Sequence, residues 1–398
     1  MKLKPTVSVE PDPRPRTGRL LVLAGVLWIL AGCGTSQSSA EPPARDEVFV
    51  TQQAEFRVET VASGLEHPWG LTFLPDGGML VTERPGQLRQ VDPEGRLLRE
   101  PIGGLPEITA VNQGGLLDVA LHPDFTTNRW VYIAYVASGR GGVGTEVARG
   151  RLADGRLDDL ETLFVLRPKS RGGRHFGARL VFDRDGYLFI TLGDRGDRPR
   201  AQRLDDHAGS LIRLHDDGRI PEDNPFVDRA DAEPAIYNYG HRNIQGADLH
   251  PETGTLWTHE HGPQGGDELN REQPGANYGW PVITYGVNYG TGTPIGEGTR
   301  KPGMEQPLYY WDPSIAPSGM AFYTGDRFPE WQGDLFVGAL KYQLLVRLEL
   351  DGTEVVAEER MLQYELGRIR DVRQGPDGLL YVLTDSPDGR VARLVPAD

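Results

Sequence analysis

An all-β fold, a six-bladed β-propeller, is what this 398-residue sequence predicts. One phrase recurs along it: an apolar pair, a turn opened by Pro or Asp, then a strand. The copies are "FLPDGGMLVTE", "LHPDFTTNRWVYIAY", "FDRDGYLFITLGD", "LHPETGTLWTHEH", "FPEWQGDLFVGAL" and "GPDGLLYVLTD", with turns opening at Pro75, Pro123, Asp183, Pro251, Pro329 and Pro376. Their spacings of 48, 60, 68, 78 and 47 residues give each copy room for one propeller blade plus inserted loops. Composition agrees, since 51 glycines and 31 prolines punctuate short strands rather than long helices. No long segment sustains the i, i+3, i+4, i+7 spacing of a capped helix. The strands alternate or are apolar throughout, as blades covered on both faces require.

Ahead of the repeats, Lys2, Lys4, Arg14, Arg16 and Arg19 precede the apolar run Leu20–Leu30, "LLVLAGVLWIL". As a helix this run would span about 17 Å, short of the ~30 Å hydrocarbon core of a bilayer. It reads as the h-region of a secretory signal. The run ends in "LAGC", Leu30 to Cys33, which looks like a bacterial lipobox. Residues 1–32 are therefore expected to be a lipoprotein signal peptide. Cys33, the only cysteine, is expected to carry lipid, and residues 33–52, polar and rich in Ser and Pro, to form a flexible tether. Residues 53–398 would then be the propeller, lipid-anchored at the bacterial cell envelope on an extracytoplasmic face. The net charge of −15 argues against a nucleic-acid partner, which needs a basic surface.

Several polar residues stand at loops or strand ends beside the repeated phrase, positions that a propeller gathers at one face. Gln113 precedes a strand in "VNQGGLLDVALHP", and His175 follows the glycines of "RGGR". "YGHRNIQG" carries His241, Arg242 and Asn243, while "HEHGPQGGDELN" carries Gly262, Pro263, Asp267 and Glu268. Lys341 ends "LFVGALK", and Arg368 and Arg370 alternate in "GRIRDV", which puts both on one face of a strand. Singly, each has an ordinary reading: a solvated histidine, an exposed arginine, a snorkelling lysine. Together they suit an anionic ligand held bidentately by arginine beside a histidine base. Asp267, Glu268 and carbonyls near Gly262 and Pro263 suit calcium, which takes oxygen ligands. His259 and His261 alternate but lack a third spaced ligand, which disfavours zinc. The "RGD" at Arg195–Asp197 reads as a loop turn, and no nucleophile elbow or phosphate loop occurs.

The motifs "HPWGLTFLPDG", "QGGLLDVALHPDF", "RHFGARLVF", "GHRNIQG", "HGPQGGDELN", "ANYGWP", "APSG" and "GRIRDV" resemble the soluble quinoprotein sugar dehydrogenases. The likeness is to the aldose sugar dehydrogenase branch, which uses pyrroloquinoline quinone (PQQ), and it covers nearly all of the chain after the tether. It implies a six-bladed propeller with PQQ and Ca2+ as cofactors. His175 would be the general base and Arg242, beside Asn243, would polarise the quinone carbonyl. Gln113, Lys341, Arg368 and Arg370 would bind the cofactor. Carbonyls of Gly262 and Pro263 would hold its calcium, with Asp267, Glu268 and Tyr278 at a second, structural calcium. An aldose would be oxidised to an aldonolactone and the electrons passed to an external acceptor. Arg174 stands where the glucose-specific branch carries an aspartate, which favours a broader aldose range. No dimer-forming insertion is evident, so a monomer is expected. The competing readings are a calcium-dependent lactonase, which needs a carboxylate-rich metal site in the channel, and a binding propeller that has lost the cofactor residues.

Overall fold

The computed structural model describes residues 47–397, and its six sheets follow the six copies of the phrase. The innermost strands are Pro68–Phe73, Leu116–Leu121, Leu180–Phe182, Ile244–Leu249, Pro317–Phe322 and Ile369–Gln374. Each pairs antiparallel with the strand that follows it, and the repeated turn is the link between them. Aspartate shapes these turns: Asp76 accepts from the Gly78 amide at 2.9 Å, and Asp183 from the Asp185 and Tyr187 amides at 3.0 and 2.8 Å. A short carboxylate bonding the backbone two residues on is why Asp recurs there.

Successive innermost strands pack side by side around the axis, the last against the first. The ring is closed by a strand from the other end of the chain. Glu55–Leu65 pairs with Gly389–Pro396, so the final sheet holds five strands, including Val48–Val50 at its outer edge. Closure of this kind removes the exposed sheet edge between first and last blades. The tether expected over 33–52 thus ends sooner, because Val48–Val50 already belongs to the propeller. The signal peptide and Cys33 lie outside the described residues. Helix is confined, among the described residues, to Phe125–Asn128 and two short 3-10 turns.

Between blades the core is apolar; Phe56, Tyr323, Trp331 and Phe336 pack together where the fifth and sixth sheets meet. Along the axis it is ionic. Arg179, fully buried, donates to Asp118 at 3.1 Å and to the Gln245 carbonyl at 3.0 Å, and lies 3.0 Å from Asp371. Arg373 reaches both Asp118 and Asp371 at 3.0 Å. The two carboxylates also accept the Leu180 and Leu71 amides at 2.9 and 3.2 Å, which ties four blades together. Gly70 makes room for this cluster, since a Cβ there would come within 2.5 Å of Asp118 Oδ1.

Candidate active site

His175 stands just before the innermost strand of the third blade, and its surroundings decide what its ring can do. Its amide donates to Gln113 Oε1 at 2.8 Å, and its Nδ1 lies 2.6 Å from Asp194 Oδ1. Asp194 closes the second strand of the same blade; its other oxygen accepts from Trp280 Nε1 at 2.8 Å. Burial opposes ionisation of Asp194, but His175, Arg242 and the Gly196 amide outweigh it and hold its pKa below the usual value. An ionised Asp194 can only accept, so Nδ1 carries the proton and Nε2 keeps its lone pair. Burial pushes the His175 imidazole below its ordinary pKa, with Arg242 and Arg174 acting the same way against Asp194. The result is a neutral base, buried save for one edge.

Arg242 joins this pair through its main chain, its carbonyl accepting from the Asp194 amide at 2.8 Å. Its guanidinium donates to the His261 carbonyl at 3.0 Å and lies 5.5 Å from the centre of the Trp280 ring. Glu260 fixes the backbone here by accepting from the amides of Arg242 and Asn243. His241 holds Glu260 in turn, at 2.9 Å. Burial works against the protonated ring, yet Glu272 and Glu260 raise its pKa to about 10, so it is an imidazolium. Asn243 Oδ1 accepts from the Gly177 amide at 3.2 Å, which fastens the fourth blade to the chain just past His175.

The cations expected from the sequence gather at the same end. Arg368 and Arg370 both reach Asp385 Oδ2, at 3.4 and 2.9 Å; Arg368 precedes the strand Ile369–Gln374, and a register shift falls at Arg370. Burial resists ionisation of Asp385, but Arg370, His67 and Arg368 hold its pKa far below the carboxylate range. Arg370 also donates to Gln245 Oε1 at 3.4 Å and keeps a buried Nε without a partner. Arg368 donates to the Leu340 carbonyl, beside Lys341. Lys341 is exposed, its ammonium 4.8 Å from the Tyr342 ring centre, and among the described residues it pairs with no acid.

The expected calcium residues divide. Gly262 and Pro263 are buried, and among the described residues neither carbonyl accepts a hydrogen bond. Buried carbonyls left open in this way suit a hard cation. Asp267 has other work. Its carboxylate accepts from the amides of Gly262, Ile315 and Ala316 and from the Ser314 hydroxyl, all at 2.8–2.9 Å. Burial still raises its pKa to about 6. Tyr278 spends its hydroxyl on the Arg271 carbonyl and the Gln273 amide, and its ring stacks 4.4 Å from His241. The second calcium at Asp267, Glu268 and Tyr278 stays what the resemblance implies; the Asp267 carboxylate and the Tyr278 hydroxyl also hydrogen-bond within the fold. Glu268 is partly buried, and burial with the nearby Glu260 raises its pKa well above the carboxylate range. Among the described residues no three His, Cys, Asp or Glu side chains cluster as metal ligands.

The site lies at the end of the strands opposite the repeated turns. The repeated turns mark one mouth of the ring, whereas Gln113, His175, Arg242 and Arg368 precede innermost strands, and Asp194, Lys341 and Asp385 follow second strands. Asp194, Asp385 and Glu260 went unread in the sequence, although the quoted copies of the phrase end on or beside them.

Comparison with known proteins agrees with this fold. The Glucose / Sorbosone dehydrogenase family matches residues 65–393. The aldose sugar dehydrogenase YliI of Escherichia coli (strain K12) is 48% identical over 348 residues, 86% of this chain and 94% of that protein. The crystal structure of the soluble E. coli aldose sugar dehydrogenase in its apo-form superposes with a TM-score of 0.84 at 47% identity, covering 86% of this chain and 100% of that one. A PQQ-bound aldose sugar dehydrogenase from Streptomyces coelicolor superposes with a TM-score of 0.71 at 30% identity, covering 89% of this chain and 99% of that one. Matched along nearly all of its propeller, the chain belongs to the glucose/sorbosone dehydrogenase family.

Proposed function

We propose that this protein is a PQQ- and calcium-dependent aldose sugar dehydrogenase that oxidises the anomeric carbon of aldoses to aldonolactones. The observation that carries the reading is the His175–Asp194 pair, with Nε2 of His175 free, set beside Arg242 at a mouth ringed by Lys341, Arg368 and Arg370. A polycarboxylate quinone fits that ring: among the described residues Lys341 has no acid partner, and Arg370 Nε is buried and unpaired. The open carbonyls of Gly262 and Pro263 fit the calcium that accompanies it. When bound, PQQ supplies the carbonyl carbon that takes the hydride from the sugar. His175 Nε2 takes the proton from the anomeric hydroxyl, while Asp194 holds the opposite nitrogen and stabilises the charge the ring acquires. Arg242, beside Asn243, brings its guanidinium toward oxygen that becomes negative. Gln113 fixes the backbone of the base. Arg174 at the lip, in place of a carboxylate, favours a broad aldose range.

The remaining features follow the sequence. Cys33 would carry lipid and anchor a monomeric propeller to the cell envelope, and an external acceptor would collect the electrons. Binding of PQQ to the purified full chain, followed by its absorbance, tests the cofactor reading. We expect binding that strengthens with calcium and weakens about 10–100-fold in Lys341→Ala, the value of one charge-assisted contact. Equal affinity with and without calcium would remove Gly262 and Pro263 from the metal.

A further inference from the structure

The arginine of the "RGD" stretch is not a solvated turn residue. Arg195 is 3% exposed and follows Asp194 directly. Its guanidinium carbon lies 3.5 Å from the centre of the Phe176 ring. Nη2 donates to the Gly172 carbonyl at 2.8 Å and Nη1 donates to the Arg174 carbonyl. Nε has no hydrogen-bond partner, and among the described residues no carboxylate forms an ion pair with this side chain. Burial, with the nearby Arg200, lowers its pKa to about 10. A buried charge with no ion pair is a costly arrangement, and here its hydrogen bonds and ring contact fall on residues 172, 174 and 176, which surround His175.

The conformation being held needs such support. His175 has φ 56°, a left-handed backbone that a residue with a side chain adopts only where its surroundings enforce it. Other anchors reach the same loop. The Gln113 amide donates to the Gly173 carbonyl at 2.9 Å, its side chain accepts the His175 amide, and the Thr145 hydroxyl donates to the Phe176 carbonyl at 2.7 Å. Arg195 grips both sides of the histidine, through the carbonyls of Gly172 and Arg174 and the ring of Phe176.

We propose that Arg195 is a positioning residue for the base: Asp194 orients the His175 ring while Arg195, from the same turn, locks the backbone that carries it. This rests on His175 being the base. A planar guanidinium can bridge two carbonyls and stack on a ring at once, and a lysine ammonium cannot.

The test compares full-length wild type, Arg195→Ala and Arg195→Lys, each loaded with PQQ and calcium, with the imidazole of His175 also titrated by NMR in the unloaded proteins. We expect kcat to fall about 10–100-fold in both variants, the usual consequence of a base displaced by about an ångström. KM for the aldose and PQQ affinity should stay within about threefold, as roughly the same contacts remain. The His175 titration should move upward toward its ordinary value as burial is relieved, since Asp194, Arg242 and Arg174 face it in all three proteins. Free guanidinium should return part of the lost kcat in Arg195→Ala. Wild-type kcat in folded Arg195→Ala, full activity in Arg195→Lys, or a loss shared equally by PQQ binding with the titration unmoved would each overturn the clamp. Should Arg195→Ala not fold, Arg195→Lys and its titration decide. A wild type that oxidises no aldose, alongside a shifted titration in the variants, would sink the functional reading and leave the clamp standing.

Discussion

His175→Ala is expected to lower kcat by about 10²–10⁴-fold, the range for a positioned general base. PQQ binding should change little, because the cations that ring the mouth do not depend on the imidazole. The size of the effect follows from the geometry. Nε2 makes no hydrogen bond among the described residues, and Nδ1 is committed to Asp194 at 2.6 Å. The pH dependence has a definite sign. Burial and two arginines depress the pKa of His175, so the active, neutral form persists below about 6.5, the ordinary imidazole value. Wild-type kcat/KM should therefore fall with acid only below that pH, and this limb should vanish in His175→Ala. A wild-type limb above pH 6.5 would contradict the assignment.

The second large effect is on stability. Asp371→Ala removes the carboxylate shared by Arg179 and Arg373 on the propeller axis and leaves the buried Arg179 and the half-buried Arg373 each short of a partner. Breaking a buried pair from one side costs about 3–5 kcal/mol. Denaturant unfolding of the full chain should show that loss. The change should also reach the site, since Arg179 supports the Gln245 carbonyl, Gln245 accepts from Arg370, and both arginines face Trp69 at 4.3 and 5.8 Å. A loss under about 1 kcal/mol would mean that the axial cluster is not what holds the inner strands together.

Much of the architecture was legible because one local rule repeats. A Pro or Asp turn followed by an apolar strand marks the link between first and second strands in all six blades, and its aspartates bond their own turns. The expected residues His175, Arg242, Asn243, Arg368 and Arg370 do converge. Their acids were hidden. Asp194 ends "ITLGD" and Asp385 ends "VLTD", yet in one dimension each looks like a solvated loop acid. Pairing of the first and second strands within a blade brings Asp194 to a histidine from the loop before that blade, and Asp385 to an arginine pair. The same signal was available as a recurring polar residue closing the second strand: Glu83, Asp194, Glu260, Lys341 and Asp385. In the sequence Asp267 shows only its oxygen chemistry; its carboxylate also accepts the main-chain amides of the Ile315–Ala316 turn, a contact between distant segments that one dimension hides.

The most direct test of the central claim is dye-coupled oxidation by the purified full chain, stripped of quinone and metal, across a panel of aldoses. PQQ and calcium would be supplied singly and together. The account predicts turnover only with both, on several aldoses, with the aldonolactone as product. Turnover without PQQ, or none with both present, would contradict it.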